Sequence, residues 1–575
     1  MKKNIQYIFF TLAMTALSCS EFIDLEPQGI LSDSQLNNPE SIEALIISAY
    51  AFMANDHYTV PNQLWPYGDL RAGDAYKGGQ GPADIAIFHA MEVFYTLLPD
   101  MRFYSPSALG DINSKKWERQ YVGISRVHNA LRRVKEIAEE DFPQKNSRLG
   151  ELHFLRGHYY FDLMILYKNI PWFDETATAN EISEISNTEY SSDELWEKIA
   201  ADFQTAVDML PESQNDLGRP NKYTAMAYLA KVKLYQAYQQ DSDHNVININ
   251  ESLLEDVVDL VTQVENEGPF SLEPDFANPF LWSMENGPEA VWQIQRSYDD
   301  GTTTGNLDFS AMLNAPMSEE FGCCGFHVPS QNLVNSFKTD ADGLPLFDSF
   351  NESNLAPETD QVDPRLDHSV AMVGHPWKYT PDLIYEIDWA GQPEIYGEFS
   401  SLKENEAPDC PCLQSITPFI ASSKNTILIR YSDVLLWKAE ALIELNRPLE
   451  ALPIINEIRQ RAANSTALLV DQDGNPLSDY NIQPYSGSNW SQDFARKALR
   501  WERKLELALE GHRFFDLVRW GIAKETLDEY LAIEKTRREY LQDAAFEKNK
   551  HEYLPIPQQQ IDLSKGLYKQ NPGYN

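Results

Sequence analysis

The stretch from Phe494 to Gly521 constrains this chain more than any other: F-A-R-K-A-L-R-W-E-R-K-L-E-L-A-L-E-G-H-R-F-F-D-L-V-R-W-G. Phe494, Ala498, Trp501, Leu505 and Leu509 recur at steps of three and four, which predicts one face of an amphipathic helix. Gly511, just past the last periodic residue, predicts a left-handed stop. A second helix then follows, burying Phe514, Phe515, Leu517, Val518 and Trp520. Glu502, Glu506 and Glu510 share one row, and Asp516 is spaced to pair with Arg513 and Arg519. Carboxylates held by arginines can do chemistry. The simpler expectation is a salt-bridged knot that fixes two crossing helices.

At the other end, Lys2 and Lys3 precede an apolar run from Tyr7 to Leu17, which has the length of a secretory leader and is too short to span a bilayer. The A-L-S-C that follows places Cys19 where a lipidated cysteine would stand, so the chain is expected to be anchored rather than spanning. Loss of the first 18 residues removes two lysines and no acids, leaving 45 basic residues against 87 acidic ones and a net charge of −42. Such a surface excludes nucleic-acid binding through phosphates and favours neutral over anionic ligands. With 43% hydrophobic and 12% aromatic residues, the chain has the material for a real core.

Helical periodicity recurs along the chain. After a linker, S-I-E-A-L-I-I-S-A-Y-A-F predicts a helix with Ile42, Leu45, Ala49 and Phe52 on one face and Ser41 as N-cap. Asn62 to Asp84 is rich in Gly, Pro and aromatics and reads as a loop of the kind that carries function. Helices resume over Trp117–Val134, Gly150–Pro171, Glu194–Pro211 and Gly218–Tyr238. His153 and His158 are five apart, the wrong spacing for a zinc face on a helix, and are expected to pack. In the last of these helices Tyr223, Ala227, Ala230, Leu234 and Ala237 form a small–large stripe. The same grammar returns downstream: Ala439, Ala441 and Leu442 end one helix, Asn446 turns, and Ala451, Leu452 and Ile455 begin the next. This is the pattern of tetratricopeptide pairs, which stack to bury a continuous core.

Between Phe270 and Thr426 the helical grammar is lost. This segment holds Trp282, Trp292, Trp377 and Trp389 with several tyrosines. Trp292, in the alternating run A-V-W-Q-I-Q, is expected in the core, and Trp389, in D-W-A-G-Q-P, exposed. Aromatic faces pack on the C–H faces of sugar rings, and amides and carboxylates bond their hydroxyls. The segment also holds Cys323, Cys324, Cys410 and Cys412. Four cysteines in an oxidising compartment allow each doublet to close on itself or two loops to be cross-linked. Adjacent cysteines are poorly placed to share one metal ion, and no D-x-D-x-D-G loop is present, so no metal or cofactor is expected.

Arg500–Gly521, with Y-L-P-I-P-Q-Q-Q-I from Tyr553 and Q-N-P-G-Y from Gln570, resembles the C-terminal part of the SusD/RagB family. P-S-Q-N-L-V-N-S-F-K-T-D-A-D-G, D-P-R-L-D-H and the Gly150–Pro171 helix match further landmarks, so the resemblance covers nearly the whole chain beyond the leader. It implies a mainly α fold, a right-handed array of about four tetratricopeptide-like helix pairs with a large irregular insert carrying the ligand site. It implies no catalysis: members are surface lipoproteins that capture nutrients beside a SusC-like TonB-dependent transporter in the outer membrane. Glu21 and Asp24 resemble the export signal of such lipoproteins. The expected organisation is a leader over 1–18, a lipid-anchored linker over 19–38, helix pairs over 39–269, the insert over 270–426 and a C-terminal helical part over 427–575.

Y-K-G-G, G-C-C-G-F-H-V-P-S-Q-N-L-V and D-C-P-C are similar to the SusD-like proteins of fructan (levan) utilisation loci. That resemblance implies ligand contacts at Asp84, Cys323 and Phe419, at Asp56 or His57, and at Phe103 or Tyr104. Trp389 joins this set as an exposed aromatic. Where the subgroup has an arginine, this chain reads D-W-A-G with Gly391 near that position, which removes several donors. A peptide-capturing member of the family is the alternative. A glycosidase is a more distant one, since there is no nucleophile elbow, H-E-x-x-H or phosphate loop.

Overall fold

The computed structural model describes residues 37–54, 57, 61–94, 112–303 and 305–574. Cys19, Asp56, Phe103 and Tyr104 lie outside them. Among the described residues the first helix is α1 (Pro39–Ala54), followed by two short ones, α2 (Trp65–Ala72) and α3 (Ala86–Val93). Five long helices come next: α4 (Ile112–Glu136), α5 (Lys145–Tyr167), α6 (Ser192–Met209), α7 (Lys222–Ala237) and α8 (Glu251–Glu267). After the irregular segment come α9 (Tyr431–Glu444), α10 (Pro448–Asn464), α11 (Gln492–Glu506), α12 (Arg513–Arg519) and α13 (Ala523–Arg537).

Helices α1 and α4, α5 and α6, α7 and α8, and α9 and α10 pack as four pairs, with α4 on α5, α6 on α7 and α8 on α9 joining pair to pair. The protein is mainly helical, as expected. The stripe Tyr223, Ala227, Ala230, Leu234 and Ala237 is buried along α7. Asn446 makes the turn between α9 and α10 with φ 59°. The apolar spacing named above passes over α8, which Leu254, Val257, Val258, Val261 and Val264 bury. His153 bonds Asp202 and His158 bonds the Tyr228 hydroxyl, as packing histidines do.

The irregular segment is held by small antiparallel pairings. β1 (Ala75–Gly78) and β3 (Phe326–Pro329) form one, and β2 (Ala290–Ile294) and β6 (Thr426–Arg430) another. β4 (Leu413–Ile416) and β5 (Phe419–Ser422) form a hairpin. Trp292 is buried in β2 against Phe154 and His158.

Four local expectations need correction. The cap of α1 is Asn38, whose carboxamide oxygen accepts from the Ser41 amide at 3.0 Å, so Ser41 sits inside the helix. Part of the Gly-rich stretch is helical: Pro66 opens α2 and Gly73, at φ 75°, closes it. Helix α11 ends at Glu506, and Leu509 already has a left-handed φ of 63°. The four residues before Gly511 turn away from the helix axis and tuck against α2, where a Cβ on Gly68 would lie 2.0 Å from the Gly511 carbonyl oxygen.

The fourth concerns the ionic knot. It exists, but its arginines come from afar. The buried Glu506 carboxylate accepts from Arg365 at 3.0 Å, from Arg430 at 2.5 Å and from Arg461. Glu502 pairs with Arg365 and Arg459, and Glu510 with Arg430 and Lys403. Asp516 pairs with Arg519 at 2.9 Å as spaced, whereas Arg513 faces Asp74 at 3.7 Å. Every one of these acids is saturated by cations.

Candidate functional site

The loop after β1 is shaped by Y-K-G-G. Gly78 and Gly79 have φ of 79° and 70°, and a Cβ on Gly78 would fall 2.2 Å from the Gly325 carbonyl oxygen. Glycine therefore lets this backbone lie against G-C-C-G, and the Gly79 amide donates to Gly325 at 2.9 Å. The buried Lys77 ammonium closes the turn from beneath by donating to the carbonyls of Gly81 and Asp84. Burial, opposed by Asp84 and Glu92, draws its pKa down to about 8.

On this turn the Asp84 carboxylate accepts from the Gln80 amide at 2.9 Å. The exposed Gln80 side chain lies 3.1 Å from the Met317 sulfur, and its carbonyl accepts from Gln392 at 3.2 Å. The Met317 amide donates to the Trp389 carbonyl at 2.8 Å, and Cys324 and Gly325 both donate to Ala315. The cysteines form Cys323–Cys324 and Cys410–Cys412 disulfides, so each doublet closes on itself. Gly322 touches the hairpin tip, its Cβ position 2.7 Å from the Pro418 carbonyl oxygen, next to the half-buried Phe419.

Asp84, Cys323 and Phe419, separated by up to 335 positions in sequence, thus share one surface with Gln80, Met317 and Gln392. Trp389 reaches it only through its backbone. Its ring, 8% exposed, packs among Phe321, Trp377 and Tyr385 at centroid distances of 6.2, 5.9 and 5.7 Å. Against expectation, Trp389 is core: its ring is buried in a small aromatic cluster and Ala390 is buried too, whereas the preceding Ile387 and Asp388 stay exposed.

Behind the hairpin lies a cavity of about 160 Å³. The end of α1 (Phe52, Met53) and the residues leading into α2 (Asn62–Trp65) border it, so His57 falls in sequence between two of its walls. Burial lowers the His57 pKa, and the neighbouring Arg119, which lines the cavity, lowers it further. The other charged groups there are engaged. Asp308 accepts from Thr426 at 3.0 Å, Lys424 donates to Lys403 and lies 3.1 Å from Glu406, and Asp162 accepts from Gln120 at 3.2 Å. Nothing local in the sequence marks Asp162, Asp308 or Lys424 as neighbours. Among the described residues no group of three or more His, Cys, Asp and Glu could hold a metal ion, and no helix is long and apolar enough to cross a membrane.

This architecture defines a helical-repeat scaffold bearing a large irregular insert. A model described as the SusD family matches residues 288–574, and one described as starch-binding and associating with the outer membrane matches residues 91–234. The chain belongs to the SusD family. SusD-like protein P2 of Formosa agariphila is 26% identical over 591 residues, covering 100% of both chains, and SusD-like protein P25 of the same organism is 23% identical with 99% of each covered. A SusD homolog from Bacteroides thetaiotaomicron superposes with a TM-score of 0.70 at 20% identity, over 94% of this chain and 97% of its own. A laminarin-binding SusD-like protein does so with a TM-score of 0.64 at 22% identity, over 94% and 100%. Surface glycan-binding protein A from B. thetaiotaomicron, in complex with laminarihexaose, has a TM-score of 0.63 at 18% identity, over 93% and 99%. These structures share the fold.

Proposed function

We propose that this protein is a lipid-anchored binder at the outer membrane, attached through Cys19, that captures neutral oligosaccharides and passes them to a SusC-like TonB-dependent transporter without cleaving them. The convergence of Asp84, Gln80, Met317, Cys323–Cys324, Gln392 and the Pro418–Phe419 tip on one surface carries this reading. Two amides and a carboxylate supply hydrogen bonds to hydroxyls, and sulfur and aromatic groups supply apolar contact with C–H faces. The acids of the ionic knot are consumed by arginines and take no part. The resemblance of the cysteine doublet and Y-K-G-G supports a fructan ligand, whereas two proteins of the same fold are described with laminarin or laminarihexaose.

Calorimetric titration of the full chain, in a non-glycosidic detergent, tests this with levan- and inulin-type fructo-oligosaccharides, laminari- and malto-oligosaccharides, and peptides. The expected result is fructo-oligosaccharide binding without reducing-sugar release, weakened about tenfold or more by Asp84→Ala or Phe419→Ala, as loss of a charged hydrogen bond or a stacked ring implies. Binding of laminari-oligosaccharides alone would remove the fructan reading and keep glycan capture. Heat from peptides alone would remove both.

A further inference from the structure

A second cavity, of about 240 Å³, opens on the helical array and shares no lining residue with the insert surface. Its walls are the end of α5, the start of α6, the end of α7, the strands Tyr238–Gln240 and Val246–Ile249, α12, and Tyr553 of the C-terminal tail. Three half-buried aromatics, Trp196, Tyr235 and Tyr553, line it. The Trp196 and Tyr235 rings lie 5.8 Å apart and both rest on Phe161, at 5.7 and 5.2 Å. Their apolar bodies are thus spent on the core. Among the described residues, the indole N–H of Trp196, the hydroxyls of Tyr235 and Tyr553 and the side chains of Gln236 and Ser192 have no hydrogen-bond partner. An indole or phenol so placed offers an apolar edge and a polar tip to the same ligand.

The charges at the cavity limit what that ligand is. Arg519 is saturated by Glu440 and by Asp516 at 2.9 Å. The Lys168 ammonium sits 3.1 Å from the His244 ring nitrogen and 5.4 Å from the Tyr553 ring, and the exposed Asp193 stands at the rim. Among the described residues Lys168 and Asp193 have no counter-ion, but they are of opposite sign, so the walls carry no net charge to draw an ionic ligand. The size is below the roughly 300–1,000 Å³ of sites for drug-sized molecules, which suits one ring rather than an extended chain.

We infer that the cleft between α5, α6, α7 and the Tyr553 segment is a second binding site, taking a single neutral sugar ring edge-on between Trp196, Tyr235 and Tyr553. This deepens the glycan-binding reading and rests on it, though not on the insert residues. Two separated sites on one chain would let a branched or folded polysaccharide engage both, which raises the effective concentration at the insert.

Saturation-transfer NMR on the full chain in a non-glycosidic detergent, with methyl β-D-glucopyranoside and methyl β-D-fructofuranoside as pyranose and furanose probes, tests the inference. Transfer to at least one glycoside is expected to persist in an Asp84→Ala/Phe419→Ala double variant. Adding Trp196→Ala to that background is expected to reduce it about fivefold or more. Tyr235→Phe, which keeps the ring and loses only the hydroxyl, is expected to reduce it as well and stands in if Trp196→Ala does not fold. Transfer insensitive to both changes, or absent for both probes in the double variant, overturns the site. If oligosaccharide binding proves independent of Asp84 and Phe419 while transfer still depends on Trp196, the insert reading falls and the cleft stands.

Discussion

At the scale of single residues, His327 is the most constrained side chain near the insert. Fully buried, it bonds Glu404 through Nδ1 at 2.7 Å and Asp69 through Nε2 at 3.0 Å, tying β3 to α2. Burial alone would lower its pKa, but the two carboxylates override that and lift it to about 10. A folded pKa above the unfolded value of about 6.5 means stabilisation that is complete below pH 6.5 and lost as pH rises toward 10. Buried His158 and His368, drawn down to about 4 chiefly by burial, act in the opposite sense. Their stabilisation is complete above pH 6.5 and lost as pH falls toward 4. Thermal unfolding across pH should therefore show an alkaline limb that His327→Gln abolishes. That variant, leaving two buried acids unpaired, should cost about 3–5 kcal/mol at pH 7. An unchanged alkaline limb in the variant would refute the assignment.

At the scale of elements, α11 owes its position to its acids as much as to its apolar face. Glu506 is shared by Arg365 from the irregular segment, Arg430 at the end of β6 and Arg461 on α10. Burial opposes its charge, but those arginines hold its carboxyl well below the usual range. Glu506→Gln, close in shape but uncharged, should destabilise by about 3–5 kcal/mol in denaturant unfolding, because three buried guanidiniums lose their shared counter-charge. A cost below about 1 kcal/mol would show that Glu502 and Glu510 suffice. The two disulfides act differently. They bridge residues one and two positions apart, so closing such short loops restrains the unfolded chain little, and their role is to shape local backbone beside the hairpin.

At the scale of the whole molecule, one core runs from Ile42 to Tyr574 and includes every helix pair. The C-terminal tail closes it: the Leu554 amide donates to Leu166, and the Asn571 carboxamide donates to Tyr167 and Leu554 at 2.8 Å. The family's Y-L-P-I-P and N-P-G-Y runs thus strap the end of α5. Because the first and last helices share a core, calorimetric heating should give a single cooperative transition. Two resolved transitions would contradict that.

Much of this was legible along the chain, for reasons that differ by element. The helix pairs could be read because periodic burial is a local property, visible in the stripe from Tyr223 to Ala237. The family could be read from long, residue-specific runs. Asp84, Cys323 and Phe419 could be proposed together only through that resemblance. What the linear order could not show was which side of a turn a residue takes. Trp389 stands among polar neighbours in the sequence, yet its ring packs against Phe321, Trp377 and Tyr385. Glu502, Glu506 and Glu510 share one row of a helix in the sequence, but their partners come from four distant elements. The Trp196 cleft has no motif at all, since its walls gather from five parts of the chain. Periodicity, charge and family thus belong to the sequence. The burial of Trp389, the ionic partners and both cavities were decided only in three dimensions, because they depend on contacts between separate segments of the chain.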